Sequence, residues 1–326
     1  LIINYLIIMD YSFTSWSKEQ FCESIALYGK FNDTYNPDTI INKPLFFEPI
    51  NCITACFIMF IGAYGLFNSK AIYYYEDLIV FSSVFFNGVA SLLNHATLQI
   101  GWYNMDDLTM LLPATLAVSI HYYCLVILLN NIRFKKFYYH LFHSKEYSNE
   151  AIYILKCKKI IMFCSMLYYY ACITIASIPN YDSLFALLFG SSLLILWIPI
   201  GFFLHYLKVS EHKPLNKKLF TYFLSGGLIC TISGIVWFST EVPCKENPQL
   251  AKYLFFTHGI WHLGMSLGIY YLLTSVILLN YYLTGVENVT FKTSNSNKCL
   301  RCWYKFLPVI IQDKRHTDLP LIEIKH

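Results

Sequence analysis

Charge is scarce in this chain. Asp, Glu, Lys and Arg make up 13% of its 326 residues, against about 25% in an ordinary soluble domain. So few charges cannot solvate a globular surface of this length, which excludes a soluble protein. A Gly-rich phosphate loop is also missing, so nothing points to a nucleotide as ligand. Basic residues gather in loops and the tail rather than on one face, so no nucleic-acid partner is expected, and no obligate protein partner is predicted. No repeat at a fixed period and no second globular domain can be read. The stretch "LIINYLII" before Met9 is short and lacks both a positive n-region and a small-residue cleavage site, so it does not read as a signal peptide. The expectation is that Met9 is the start, or that the sequence is a fragment.

What the chain has instead is apolar length. Hydrophobic residues make up 56% of it, and seven stretches reach the roughly 20 residues that cross a hydrocarbon core: 46–67, 77–98, 106–130, 158–178, 183–207, 219–238 and 254–281. None carries Lys or Arg in its interior, and the acids Glu48, Asp77, Asp106 and Asp107 fall near the ends. In lipid every backbone polar group must be satisfied within its own segment, so these stretches are expected as helices. The fold class is therefore all-α, a seven-transmembrane helix bundle over 46–281. It follows a polar N-terminal segment, 1–45, and precedes a tail, 282–326, that lacks helical periodicity and reads as disordered.

Orientation follows from the basic residues. All but Lys18, Lys30, Lys43, Lys245 and Lys252, of the 24 Lys and Arg, fall on one side of such a bundle. Short loops rich in Lys and Arg stay cytosolic, so the N-terminus is expected to be lumenal or extracellular and the C-terminus cytosolic. Of the 11 cysteines most lie inside spans, where a free thiol behaves as a small apolar residue. Cys22 and Cys244 both fall on the lumenal side, where a disulfide can persist. They are either a pair or two unrelated thiols. "CLRC" at 299–302 is a lone CxxC, too little for a zinc site by itself.

Ionisable residues inside a span are costly and mark functional sites by default. In "HGIWH", His258 and His262 stand one helical turn apart on one face. In "ASLLNHATLQIGWYNMDD", Ser91 and His95 are again four apart on the second span, and Asp106 begins the third. With the second span running outward and the third and seventh inward, His95, Asp106, His258 and His262 all reach the lumenal end. Three neutral imidazoles are a zinc set that leaves a fourth position open for water, as catalytic zinc sites do. A carboxylate beside it is placed to act as general base, and the Ser91 hydroxyl to donate to an oxyanion. The chemistry expected is hydrolysis of an amide or ester within reach of lipid. His121, fifteen residues beyond Asp106, and His205, at the other end of its span, read as structural or interfacial.

These residues resemble a family. "SLLNHATLQIGWYNMDDLTML" is similar to the Ser-x3-His-x10-Asp pattern of the alkaline ceramidases, and "HGIWHLGMSLGIYY" to their His-x3-His motif. "FFEPINCITACFIMF" resembles the family's Glu-x2-Asn at the first span, "WFSTEVPC" its Trp-x6-Cys before the last loop, and "FCE" its Trp-Cys-Glu. The resemblance implies that His95, His258 and His262 bind zinc, that Asp106 activates the water, that Ser91 assists at the oxyanion, and that Cys22 pairs with Cys244. It further implies ceramide as lipid substrate, cleaved to a sphingoid base and a fatty acid, in endoplasmic reticulum or Golgi membranes. It also implies a calcium site, of which Glu23 and Glu48 remain; Phe21 stands where the family has the Trp that contributes a backbone carbonyl, and Gln20 and Ile25 occupy the positions of its Asp and Asn. "GKFNDTYNPDTIIN" lengthens the segment between Glu23 and Glu48.

The His/Asp/Ser set belongs to a wider superfamily that includes the adiponectin and progestin receptors. The alternative reading is therefore a seven-transmembrane receptor-like protein whose zinc only braces three helices. Against it, that group would place its N-terminus in the cytosol. A proton-relaying transporter would instead favour broken helices near the midplane.

Overall fold

The computed structural model describes residues 21–28, 45–68, 75–133, 149–176, 182–209, 213–283, 289–292 and 307–312. Nine helices form among them: α1 (Cys22–Tyr28), α2 (Pro49–Asn68), α3 (Tyr75–Thr97), α4 (Ile100–Arg133), α5 (Asn149–Ala176), α6 (Asp182–Val209), α7 (Lys213–Glu246), α8 (Pro248–Leu254) and α9 (Thr257–Leu283). Six are long and apolar enough to cross a membrane, over Pro49–Phe67, Leu78–Thr97, Ile100–Leu129, Leu187–Lys208, Asn216–Glu246 and Thr257–Leu283. The seventh expected span, 158–178, falls on the 28-residue α5 up to Ala176, which is not among those six; its last two residues lie outside the described ones.

Two of the boundaries that differ from expectation bear on the site. The third span opens at Ile100 rather than at Asp106, so Asp106 lies inside α4 and not at its first residue. The polar run "GWYNMDD" hid this start, because the apolar signal begins only after it. The sixth span continues through Pro243 to Glu246, so Cys244 is helical; internal prolines are tolerated where neighbouring groups satisfy the freed carbonyls. Between α3 and α4 the chain turns at Leu98, which takes a left-handed φ of 51° and is fully buried.

Helix α9 sits against α2, α4 and α7, and α2, α3 and α4 pack in sequence beside it. Lipid tails are as apolar as leucine, so burial of apolar surface drives little association here; small residues and close packing do. The α7–α9 crossing shows this. A Cβ on Gly226 would meet the Gly268 carbonyl oxygen at 2.9 Å, and a Cβ on Gly268 would meet the Gly226 oxygen at the same distance. Large apolar residues point outward where a soluble protein would place charge, as Leu194 (72% exposed) and Phe163 (64%) illustrate, and polar ones point inward. Such an arrangement fits lipid on the outside, and the chain is a multi-pass membrane protein.

The tail corrects the expectation of disorder over 282–326 in its described part. Val289–Lys292 (β1) and Val309–Gln312 (β2) pair antiparallel, with Val289 opposite Gln312. Their four-residue runs are rich in β-branched residues but too short to show a period. Leu307 and Val309 are buried, and the Tyr64 and Tyr270 hydroxyls donate to the carbonyls of Leu307 and Pro308.

Candidate metal centre

His95, His258 and His262 meet. One nitrogen from each lies within 4.8 Å of the others, and all three side chains are buried. Ring centroids stand 5.0 Å apart for His95 and His258, 5.0 Å for His95 and His262, and 4.7 Å for His258 and His262. His95 ends α3 and the other two begin α9, so the cluster lies within about 10 Å of helix ends at 1.5 Å per residue.

The outer nitrogens decide which tautomer each ring takes. His95 Nδ1 is 2.5 Å from Glu48 Oε2, so the ring donates there and leaves Nε2 as a lone pair. That Nε2 is buried without a hydrogen-bond partner among the described residues. His262 Nδ1 is 3.0 Å from Thr54 Oγ1. The Thr54 hydrogen is directed to the carbonyls of Ile50 and Asn51, so its oxygen accepts Nδ1–H and His262 Nε2 is also a lone pair. A buried imidazole acceptor with no donor, as His95 Nε2 is, is costly, and its convergence with the lone pair of His262 Nε2, which has only the Ser91 hydroxyl at 3.4 Å, suits a divalent cation. Metal-ligating histidines habitually donate their second nitrogen to such an outer group.

Glu48 is brought to His95 by the backbone. The Phe47 and Glu48 amides donate to the carbonyls of Ala96 and His95, pinning the start of α2 to the end of α3. Asn51 Nδ2 donates to the same Glu48 oxygen at 3.1 Å.

Asp106 joins the cluster from α4. Its Oδ2 accepts from Asn94 Nδ2 at 3.0 Å and its Oδ1 from Asn87 Nδ2 at 3.3 Å. Asn87, Ser91, Asn94 and His95 thus share one face of α3. Ser91 Oγ lies 3.4 Å from His262 Nε2. The five residues expected at this site are therefore together. His121 is not: it is buried among Phe203 and Phe223, and its Nδ1 donates to Ala117 one turn back.

The N-terminal residues close one side. Cys22 and Cys244 form a disulfide, as the resemblance implied. Phe21 lays its ring 4.3 Å from that of His258 and 4.9 Å from that of His95. Glu23 caps α2, accepting from the amides of Ile50 at 2.8 Å and Asn51 at 2.9 Å. Burial pushes its carboxyl above the ordinary value against those two amides, and the Glu48 charge adds to the rise. With both Glu23 oxygens and one Glu48 oxygen so engaged, the calcium expected of Glu23, Glu48 and Phe21 finds no support. Among the described residues the other ion-sized group is Cys22, Glu241 and Cys244, and its sulfurs are already bonded to each other.

Sequence reading missed Thr54, Asn87, Asn94 and Glu241. Asn87 and Asn94 did leave a signal, four residues before Ser91 and three after it on the same helical face; Thr54 left none.

Two comparisons bear on these residues. A family model described as Ceramidase matches residues 41–304. Among curated proteins none matches.

Proposed function

The chain belongs to the ceramidase family, and from that premise we propose that it is a zinc-dependent amidohydrolase that cleaves ceramide to a sphingoid base and a free fatty acid. The observation that carries the reading is the convergence of three buried imidazoles with a carboxyl group held by two asparagines. Amide hydrolysis needs an activated water, a stabilised oxyanion and a protonated leaving nitrogen, and a group is available for each.

His95, His258 and His262 would hold the ion. When bound, zinc supplies a Lewis acid that polarises the amide carbonyl and makes water acidic enough to attack near neutral pH. Glu48 and Thr54 fix the rings of His95 and His262 so that lone pairs face inward. Asp106 takes the proton of the attacking water as the C–O bond forms and delivers it to the amine nitrogen, so that the C–N bond breaks when the oxyanion collapses and the amine leaves neutral. Asn87 and Asn94 keep that carboxylate from swinging away. Ser91 donates to the oxyanion.

Depth supports a lipid substrate. A ceramide amide rides at the membrane interface with its chains in the hydrocarbon, and the cluster lies near helix ends rather than at mid-bilayer. With α5 as the seventh crossing, the site and the disulfide share the side from which most Lys and Arg are absent. A disulfide persists in an oxidising lumen, which supports lumenal orientation of that side, in endoplasmic reticulum or Golgi membranes.

The test is incubation of purified protein with a panel of ceramides and mass spectrometry of both products, with chelator and after zinc is restored. Release of sphingoid base and fatty acid in equal amounts, lost with chelator and in His262→Ala, is expected. Undiminished release after complete zinc removal would discard the metal, and no release from any ceramide would discard the substrate.

A further inference from the structure

Two of the three rings have an outer partner within hydrogen-bonding distance, and the third has a carboxylate waiting. Glu241, on α7, is 2% exposed and buried beside the disulfide. Its Oε1 accepts from the Cys22 amide at 2.8 Å. Its Oε2 faces His258 Nδ1 at 3.7 Å. Neither Oε2 nor Nδ1 has a hydrogen-bond partner among the described residues. A buried carboxylate oxygen and a buried ring nitrogen are each costly alone, and each is the other's remedy.

We propose that Glu241 is the positioning residue of His258: its Oε2 accepts Nδ1–H and so commits His258 Nε2 to the metal, while its Oε1 holds the Cys22 amide and with it the Phe21 ring against the same histidine. The inference rests on the zinc reading above. Closing 3.7 Å to the usual 2.7–2.9 Å of a charge-assisted bond needs roughly 1 Å of side-chain rotation. Each metal histidine then has its own outer acceptor from a different place: Glu48 before α2, Thr54 within α2 and Glu241 near the end of α7. Glu241 also holds the N-terminal segment, through the Cys22 amide. A correct Cys22–Cys244 pairing brings the Cys22 amide to Oε1 and leaves only Oε2 for the ring.

Glu241→Gln separates this role from mere anchoring. The carboxamide has a single acceptor for two donors. If its oxygen stays on the Cys22 amide, its NH2 faces His258 and drives the ring to the tautomer that carries hydrogen on Nε2, which cannot ligate. Zinc affinity of the full chain is measured by competition with a coloured chelator, beside wild type and His262→Ala. Alkylation of thiols and the melting temperature of the zinc-stripped proteins are read in parallel. Expected for Glu241→Gln is a zinc Kd raised by roughly 10- to 100-fold, the usual cost of losing an outer partner, with the disulfide intact and the stripped protein melting like wild type. Wild-type affinity in Glu241→Gln overturns the proposal, as does a loss of affinity matched by free Cys22 and Cys244 or by a lower melting temperature, which would make Glu241 an anchor only. Equal zinc binding by wild type and His262→Ala would instead sink the three-histidine reading itself. If the variant does not accumulate, nitrogen-15 NMR of histidine-labelled wild type in zinc reads the same point: a proton on His258 Nδ1 supports the assignment, and a bare Nδ1 refutes it.

Discussion

Replacing Gly268 by alanine should impair hydrolysis although Gly268 touches none of the reacting groups. Its added Cβ would stand 2.9 Å from the Gly226 carbonyl oxygen, 3.0 Å from the Cys230 nitrogen and 2.5 Å from the Cys230 sulfur. The first two are backbone atoms and cannot rotate aside. Ordinary contact begins near 3.5 Å, so α9 must part from α7 by roughly 0.5 Å. Overpacking of this size costs about 1–3 kcal/mol. His262 lies six residues before Gly268 on the same helix, about 9 Å away, and His258 lies one turn further. A rigid helix therefore carries both rings with it. A misplacement of about 1 Å can cost roughly 100-fold in rate, so a shift of half that size should lower kcat by about 10-fold. The assay is release of sphingoid base by purified protein in mixed micelles, with zinc content measured on the same sample. Gly190→Ala is the control: nothing stands within 4 Å of its Cβ, and alanine favours a helix interior by about 0.5–1 kcal/mol. Its activity should be unchanged. A Gly268→Ala protein with wild-type turnover and zinc content would refute the claim that this crossing sets the positions of the rings.

Three further outcomes are expected. Asp106→Asn should keep zinc yet lose turnover by about 100- to 10,000-fold, the usual range for a removed general base; wild-type turnover would take Asp106 out of that role. Thr54→Val leaves the buried His262 Nδ1–H without an acceptor, so the zinc Kd should rise by roughly 10- to 100-fold while the protein still folds, and an unchanged Kd would show that this bond does not set the tautomer. For orientation, Asn32 in "NDT" and Asn288 in "NVT" are both Asn-x-Thr glycan acceptors, and Asn32 should carry a glycan after passage through the secretory membranes while Asn288 should not; a shift in gel mobility lost on Asn288→Gln rather than Asn32→Gln would invert the bundle.

The residues that bear the chemistry could be read from sequence because lipid makes them conspicuous. His95, His258 and His262 interrupt apolar runs, Asp106 stands at the edge of one, and helical spacing alone puts Ser91 with His95 and His258 with His262. Apart from Asn87 and Asn94, what holds them was not legible. Thr54 resembles any span threonine that bonds its own backbone, and its second role depends on α2 lying against α9. Glu241 looked like a lumenal-loop acid while the sixth span was expected to end at 238; the helix in fact runs on through Pro243. The early start of α4 was missed for a related reason, since hydropathy follows the apolar centre of a span, whereas this site is built at the polar ends. The short strands of the tail were hidden by length.

Placement at helix ends also explains why three consecutive N-terminal residues serve four different helices. A hydrolytic site needs water, so the cluster cannot be sunk to mid-bilayer, yet histidines that would hold a metal ion work best where the surroundings are dry and rigid. A bundle open at its end cannot satisfy both demands with spanning helices alone. Phe21 covers the rings of His95 and His258 with an apolar face, Cys22 ties that cover to α7, and Glu23 satisfies the first amides of α2, which would otherwise be buried without acceptors. The same α2 turn supplies Asn51 to Glu48 and Thr54 to His262. The cover, the cap and two of the outer partners therefore stand or fall with one short segment. All three residues precede the 41–304 stretch that the family model matches, so their fit to the centre rests on this chain's own geometry.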